Sequence, residues 1–139
     1  MEDGILVTYI YSQDGKEVVK YFVEHNQFFT DLDSYDNRNE AVINIQAVVD
    51  STVLSISRAD NEIIQSKIPQ WDSILKGFAA EALNTMIRNR NFLNFGTAED
   101  QYAHFVQQHP TLARHVPLKF IASYLGVTQS SLSRIRRGK

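Results

Sequence analysis

The stretch from Leu118 to Arg137, LKFIASYLGVTQSSLSRIRR, constrains this chain more than any other, because its spacing suits two short helices crossing through one tight turn. Ile121, Leu125, Val127, Leu132 and Ile135 are apolar at the places where such a hairpin buries its inner side, and Ala122 is small where the two axes come closest. Gly126 stands at the corner, where a residue without Cβ reverses the backbone most easily, and Thr128 is suited to cap the second helix by accepting from its first free N–H groups. The second helix is therefore expected over Gln129–Arg137, with Leu132 and Ile135 inward. Gln129, Ser130, Ser133 and Arg134 then point outward together, and these residue types can bond base edges in a major groove. A helical hairpin of purely structural use would share the apolar inside, the small residue and the glycine.

Charge separates the two readings. From Gln101 onward there are six basic residues, Arg114, Lys119, Arg134, Arg136, Arg137 and Lys139, and no Asp or Glu. The first hundred residues hold the other eight Lys and Arg against all sixteen acids, so a net +6 tail follows a net −8 body, although the whole chain carries only −2. Cationic side chains beside a helix offering Gln, Ser and Arg are what phosphate contacts and groove reading require. The residues expected at double-stranded DNA are Lys119, Thr128, Gln129, Ser130, Ser133, Arg134, Arg136 and Arg137.

At 139 residues the chain can bury one ordinary core, or a small sensor fold plus a helical appendage. It has no cysteine, which excludes disulfides, thiolate catalysis and cysteine-ligated metal sites. Its first residues, MEDGILVTYIYSQDGK, are acidic where a signal peptide is basic, and no window approaches a membrane span, so a cytoplasmic location is the default expectation. The histidines at 25, 104, 109 and 115 form no ligand pair at helical spacing with a carboxylate, and no metal site or cofactor is expected. Asp31, Asp33 and Asp36 lack the central glycine and closing Glu of a calcium loop and read as a solvated acidic loop. No Ser, His and Asp arrangement and no glycine-rich phosphate cradle occurs, so the chain does not read as an enzyme.

Upstream, Ile5–Tyr11 and Glu17–Val23 are rich in β-branched and aromatic residues, with Asp14-Gly15 between them, and predict a hairpin. Gln27–Asn39 reads as a loop whose Phe28 and Phe29 plug the core. Two further strands are expected over Val42–Val48 and Thr52–Ser57, completing an antiparallel unit. Ser57 then starts a short helix that ends before Pro69. From Gln70 to Asn94 apolar residues recur at threes and fours, which predicts a helix about twice the usual length. Leu75, Ala79, Ala82, Met86 and Leu93 fall near a heptad seam and suggest a homodimer axis, the alternative being a helix that packs across its own β unit. Gly96 closes this helix, Thr97 with Asp100 opens another carrying Tyr102, Phe105 and Val106 on one side, His109-Pro110 stops it, and Pro117 begins the hairpin. Trp71 reads as core. The expected domains are 1–68 as a partial sensor, 69–96 as the connecting helix and 97–139 as the DNA-binding part.

This order of elements, together with YSQDGKEVVKYF, NIQAVVDSTVLSIS and PLKFIASYLGVTQSSLSRIRR, resembles the Crp/Fnr regulators, particularly a branch common in Bacteroidetes. The resemblance implies an α+β fold: a partial antiparallel β-roll of cyclic-nucleotide-binding type, shortened at its N-terminal side, then a long dimerisation helix and a C-terminal helix-turn-helix. It implies a transcription factor that binds a two-fold DNA site as a homodimer, with Gln129, Ser130 and Arg134 where family members read bases. Members that bind cyclic AMP use a Gly-Glu pair and an Arg-Ser or Arg-Thr pair; the matching positions here are Asn26-Gln27 and Ala41-Val42, with Arg38 a distant substitute for the missing guanidinium. Asn26, Gln27, Phe28, Arg38 and Ala41 are thus the candidate ligand residues, and no response to cyclic AMP is expected. Two other roles stay open: a shortened paralogue that forms mixed dimers through the long helix, and a sensor of an unidentified small molecule.

Overall fold

A computed structural model describes residues 1–93 and 96–138, the side chains of 90–93 excepted. The expected helix end at Asn94, the seam position of Leu93 and the basic side chain of Lys139 lie outside the described residues. Strands β1 (Leu6–Tyr11) and β2 (Glu17–Val23) form the predicted hairpin. Its turn is closed by the Ser12 N–H to the Lys16 carbonyl, and Gly15 takes φ +76°. The hydrogen bond from Lys16, at 2.6 Å, and another from Ser12 hold the Asp14 carboxyl down to about 2. Strand β3 (Asn44–Ala47) pairs with the other side of β1, giving a three-stranded antiparallel sheet in the order β2-β1-β3.

The register carries one irregularity that matters. Thr8 pairs with Tyr21 but Tyr9 with Val19, so Lys20 is an extra residue in β2. In an unbroken strand Val19 and Phe22 would face opposite sides; the bulge puts both on the side of Val7 and Tyr9. That side, with Ile5, joins the core of the C-terminal helices. Thr8, Tyr21 and Ile45 share the reverse side, where the buried Thr8 hydroxyl exchanges hydrogen bonds with both backbone groups of Tyr21.

One expected strand is shorter than its apolar pattern suggests, and another does not form. β3 starts only at Asn44 because the N–H groups of Val42 and Ile43 are taken by the Asp31 carboxylate. No strand forms over Thr52–Ser57: Gly4, at φ +102°, breaks the line ahead of β1, leaving a single bridge between Asp3 and Thr52, and Val53, Leu54 and Ile56 stay exposed. Gln27–Asn39 holds one short helix, α1 (Leu32–Asn37), capped by Asp31. Phe28 does not plug the core as expected; it is exposed and stacks on Phe78, rings 4.8 Å apart, because the core position is filled from the hairpin and the C-terminal helices.

Helix α2 (Arg58–Lys67) is capped by Ser57 as predicted and stops ahead of Pro69. The long helix α3 (Trp71–Leu93) follows after a short turn. Trp71 is only half-buried and donates its indole N–H to Asn61 of α2, so it joins these two helices and not the main core. α4 (Ala98–Gln108) begins with the full capping box expected from Thr97 and Asp100. The Thr97 backbone N–H and hydroxyl both donate to Asp100 and hold its carboxyl below the usual range. α5 (Pro110–His115), α6 (Leu118–Tyr124) and α7 (Gln129–Arg137) complete the chain. Tyr102, Phe105, Leu112, Val116, Phe120, Ile121, Leu125 and Leu132 are buried together with Ile5, Val7 and Val19, so one apolar core runs from the sheet into α4–α7. Val106, expected beside Tyr102 and Phe105, sits at the rim and is exposed.

Candidate nucleic-acid interface

The turn between α6 and α7 forms as its sequence requires. Leu125 ends α6, Gly126 follows at φ +70°, its N–H bonds the Ser123 carbonyl, and the Val127 N–H returns to the Ala122 carbonyl at 2.9 Å. This paired closure satisfies two carbonyls that the helix end leaves free and needs a left-handed residue between them. Thr128 then caps α7 by accepting the Ser131 N–H at 3.1 Å. Leu132 is fully buried, Ile135 packs at the edge of the core, and Ala122 lies buried between.

Anchoring on Leu132 and Ile135 leaves the opposite side of α7 in solvent. Gln129, Ser130, Arg134, Arg136 and Arg137 are exposed. Ser133 is half-buried and accepts from the Arg137 guanidinium at 3.2 Å, so it steadies a neighbouring cation as well as flanking Arg134. Thr128 lies at the helix start with its hydroxyl engaged by Ser130 and Ser131, which makes it a cap whose backbone, more than its side chain, is available. Among the described residues no carboxylate lies within ion-pair distance of Arg134, Arg136 or Arg137. Lys119 stands apart from this ridge: its ammonium lies over the Phe120 ring and 4.0 Å from Glu17 of β2.

A concavity of about 310 Å³ lies on the reverse side of the sheet, lined by Tyr21, Phe29, Asp31, Ser34, Tyr35, Ala41, Ile43 and Ile45 among others. Of the five expected ligand residues only Ala41 is there. Asn26 adopts φ +60° in the exposed turn after β2, Gln27 folds back to accept the Glu24 N–H, Phe28 lies on α3, and Arg38 ends α1 in left-handed backbone, exposed. Sequence reasoning missed Tyr21, Tyr35 and Asp31. Asp33 and Asp36 are exposed as expected of a solvated acidic loop, but the partly exposed Asp31 also has structural partners: its carboxylate accepts from the N–H groups of Ser34, Val42 and Ile43, which hold its pKa below the usual range. Among the described residues no Lys or Arg lines the cavity. Burial raises the Tyr21 hydroxyl above its ordinary pKa.

No protein-family model and no curated protein sequence matches the chain. Solved structures do. FixK2 from Bradyrhizobium japonicum superposes with a TM-score of 0.79 at 20% identity, over 98% of this chain and 70% of its own. A Eubacterium rectale ATCC 33656 protein assigned to the Crp/Fnr family of transcriptional regulators gives 0.74 at 18% identity, over 98% of this chain and 65% of its own. The α+β fold described above is therefore one that these two proteins share. Among the described residues no helix is long and apolar enough to cross a membrane.

Proposed function

We propose that the chain is a sequence-specific DNA-binding transcriptional regulator that reads a two-fold site as a homodimer. The observation that carries this reading is the exposed ridge of α7, where Gln129, Ser130 and Arg134 stand together and, among the described residues, Arg136 and Arg137 have no competing carboxylate. Arg and Gln are the side chains that make two-pronged contacts to guanine and adenine edges, and the flanking cations suit phosphates on either side. Fold-sharing with Crp/Fnr-type regulators supports the same reading.

Dimerisation is supported by α3, which leaves Ile74, Phe78, Leu83, Met86 and Ile87 each at least 40% exposed, even with Phe28 lying on Phe78. Of the expected seam, Leu75 is half-buried, and Ala79, Ala82 and Met86 are exposed. The reading includes no response to cyclic AMP: the cavity offers a resident carboxylate and no cation, so a cyclic phosphate would meet repulsion and no bidentate partner. Selection from a random DNA pool followed by anisotropy titration tests the main claim. An enriched palindrome whose binding is weakened by Arg134→Ala and Gln129→Ala supports it; equal binding of all sequences by all three proteins refutes it. Calorimetric titration with cyclic AMP is expected to give no heat of binding.

A further inference from the structure

Ser123 lies on α6, the first helix of the hairpin, and not on the ridge of α7. Its hydroxyl instead lies against β2, the edge strand of the sheet. It accepts the Val19 N–H at 3.0 Å and donates to the Glu17 carbonyl at 3.1 Å. Those are the free backbone groups an edge strand turns outward, so one side chain takes the place that a neighbouring strand would occupy. Around it Tyr124 stacks against Phe22 with ring centres 5.4 Å apart, Phe22 meets Phe105 at 6.1 Å, and Lys119 approaches Glu17. The exposed ion pair adds little; the apolar rings supply attraction without fixing direction. The Ser123 hydrogen bonds are the directional part of the contact.

We infer that Ser123 is a positioning residue that locks the α6–α7 reading head to the edge of the sheet in one orientation, and thereby sets the half-site spacing the dimer accepts. The first half of this statement stands on the geometry alone; the second rests on the proposed DNA-binding function. Removing the hydroxyl leaves the rings in place but loses both bonds, which shifts the ratio of docked to undocked heads by roughly tenfold.

The chain has no cysteine, so labels can be placed uniquely. Spin labels at Gln13→Cys, on the hairpin turn, and Arg136→Cys, on α7, are read by double electron–electron resonance in the full chain diluted with unlabelled protein. One narrow distance population is expected for the parent, a roughly tenfold larger share of displaced distances for Ser123→Ala, and the parent's distribution again for Ser123→Thr, which restores the hydroxyl. Melting curves accompany each variant, and an equally narrow population in a folded Ser123→Ala protein overturns the inference. Loss of structure in Ser123→Ala with rescue by Ser123→Thr still assigns the hydroxyl to the contact; loss in both overturns it. Binding to palindromes whose half-sites are moved apart by one base pair completes the test: the parent should reject them and Ser123→Ala should tolerate them, and identical spacing profiles refute the second half. Absence of any DNA binding by the parent counts against the proposed function and leaves the distance measurement standing.

Discussion

Asp31 and Val42 are eleven positions apart, yet the Asp31 Oδ2 accepts the Val42 N–H at 3.1 Å and the Ile43 N–H at 3.4 Å, while Oδ1 caps α1 at Ser34. One carboxylate thus closes the loop over the cavity and sets where β3 can begin. Because these N–H groups depress its folded pKa below the ordinary 3.8, its contribution to stability is present above that value and is lost as the pH falls through the lower folded one. Asp31→Asn keeps one acceptor and loses the charge, so its acid-unfolding curve should be flatter than the parent's below about pH 4, the range where an unperturbed Asp titrates. Circular dichroism against pH, at fixed salt, checks this.

Two glycines should respond differently to the same change. Gly126 has positive φ but open space around the position of a Cβ, so Gly126→Ala should cost about 1 to 2 kcal/mol for the left-handed backbone alone. At Gly4 an added Cβ would lie 2.1 Å from the Ser51 Oγ and 2.6 Å from its Cα, on top of a positive φ. Gly4→Ala should therefore be the more destabilising of the two in urea titrations.

Leu132 is fully buried where α7 meets α4 and α6. Leu132→Ala should cost about 2 to 5 kcal/mol and cut DNA affinity through loss of the hairpin's shape, with no change in base preference among the molecules that remain folded. Combined chemical denaturation and binding titration separates the two effects.

On the exposed ridge, Arg134→Ala should lose about 1 to 3 kcal/mol at one base position and relax specificity there, whereas Arg137→Ala should weaken all sequences alike and lower the salt slope by roughly one. Titrations of single-base operator variants at several salt concentrations distinguish base reading from phosphate contact.

Met86→Glu places a charge in the exposed apolar seam of α3. Light scattering should then report the monomer mass at concentrations where the parent is dimeric, with helix content unchanged.

Much of this was legible in the sequence because local signals agreed with the global outcome. Thr97 with Asp100, Ser57 ahead of α2 and Gly126 with Thr128 each announce an element end through chemistry that acts within four residues, and all three ends form as expected. The bulge at Lys20 was not legible, since nothing in EVVKYFV distinguishes a skipped pairing from a regular one until Val19 and Phe22 must share a face. Asp31 escaped for a related reason: a carboxylate among other acids looks solvated until the chain brings Val42 back to it. Thr52–Ser57 has a strand's composition but only Asp3 to pair with, so composition alone misled. Of the candidate surfaces, the α7 ridge followed from helical spacing, while the cavity's aromatic lining by Tyr21 and Tyr35 depended on contacts that no short window contains.

The shared core has a consequence for anyone hoping to borrow the C-terminal helices. Phe105 and Tyr124 find part of their shelter on Phe22, and Ile121 and Leu125 belong to the same cluster as Val7 and Val19. Cut away from the hairpin, the last forty or so residues would surrender that shelter and behave as a sticky fragment; they are not a cassette that can be transplanted without the strands that came before them.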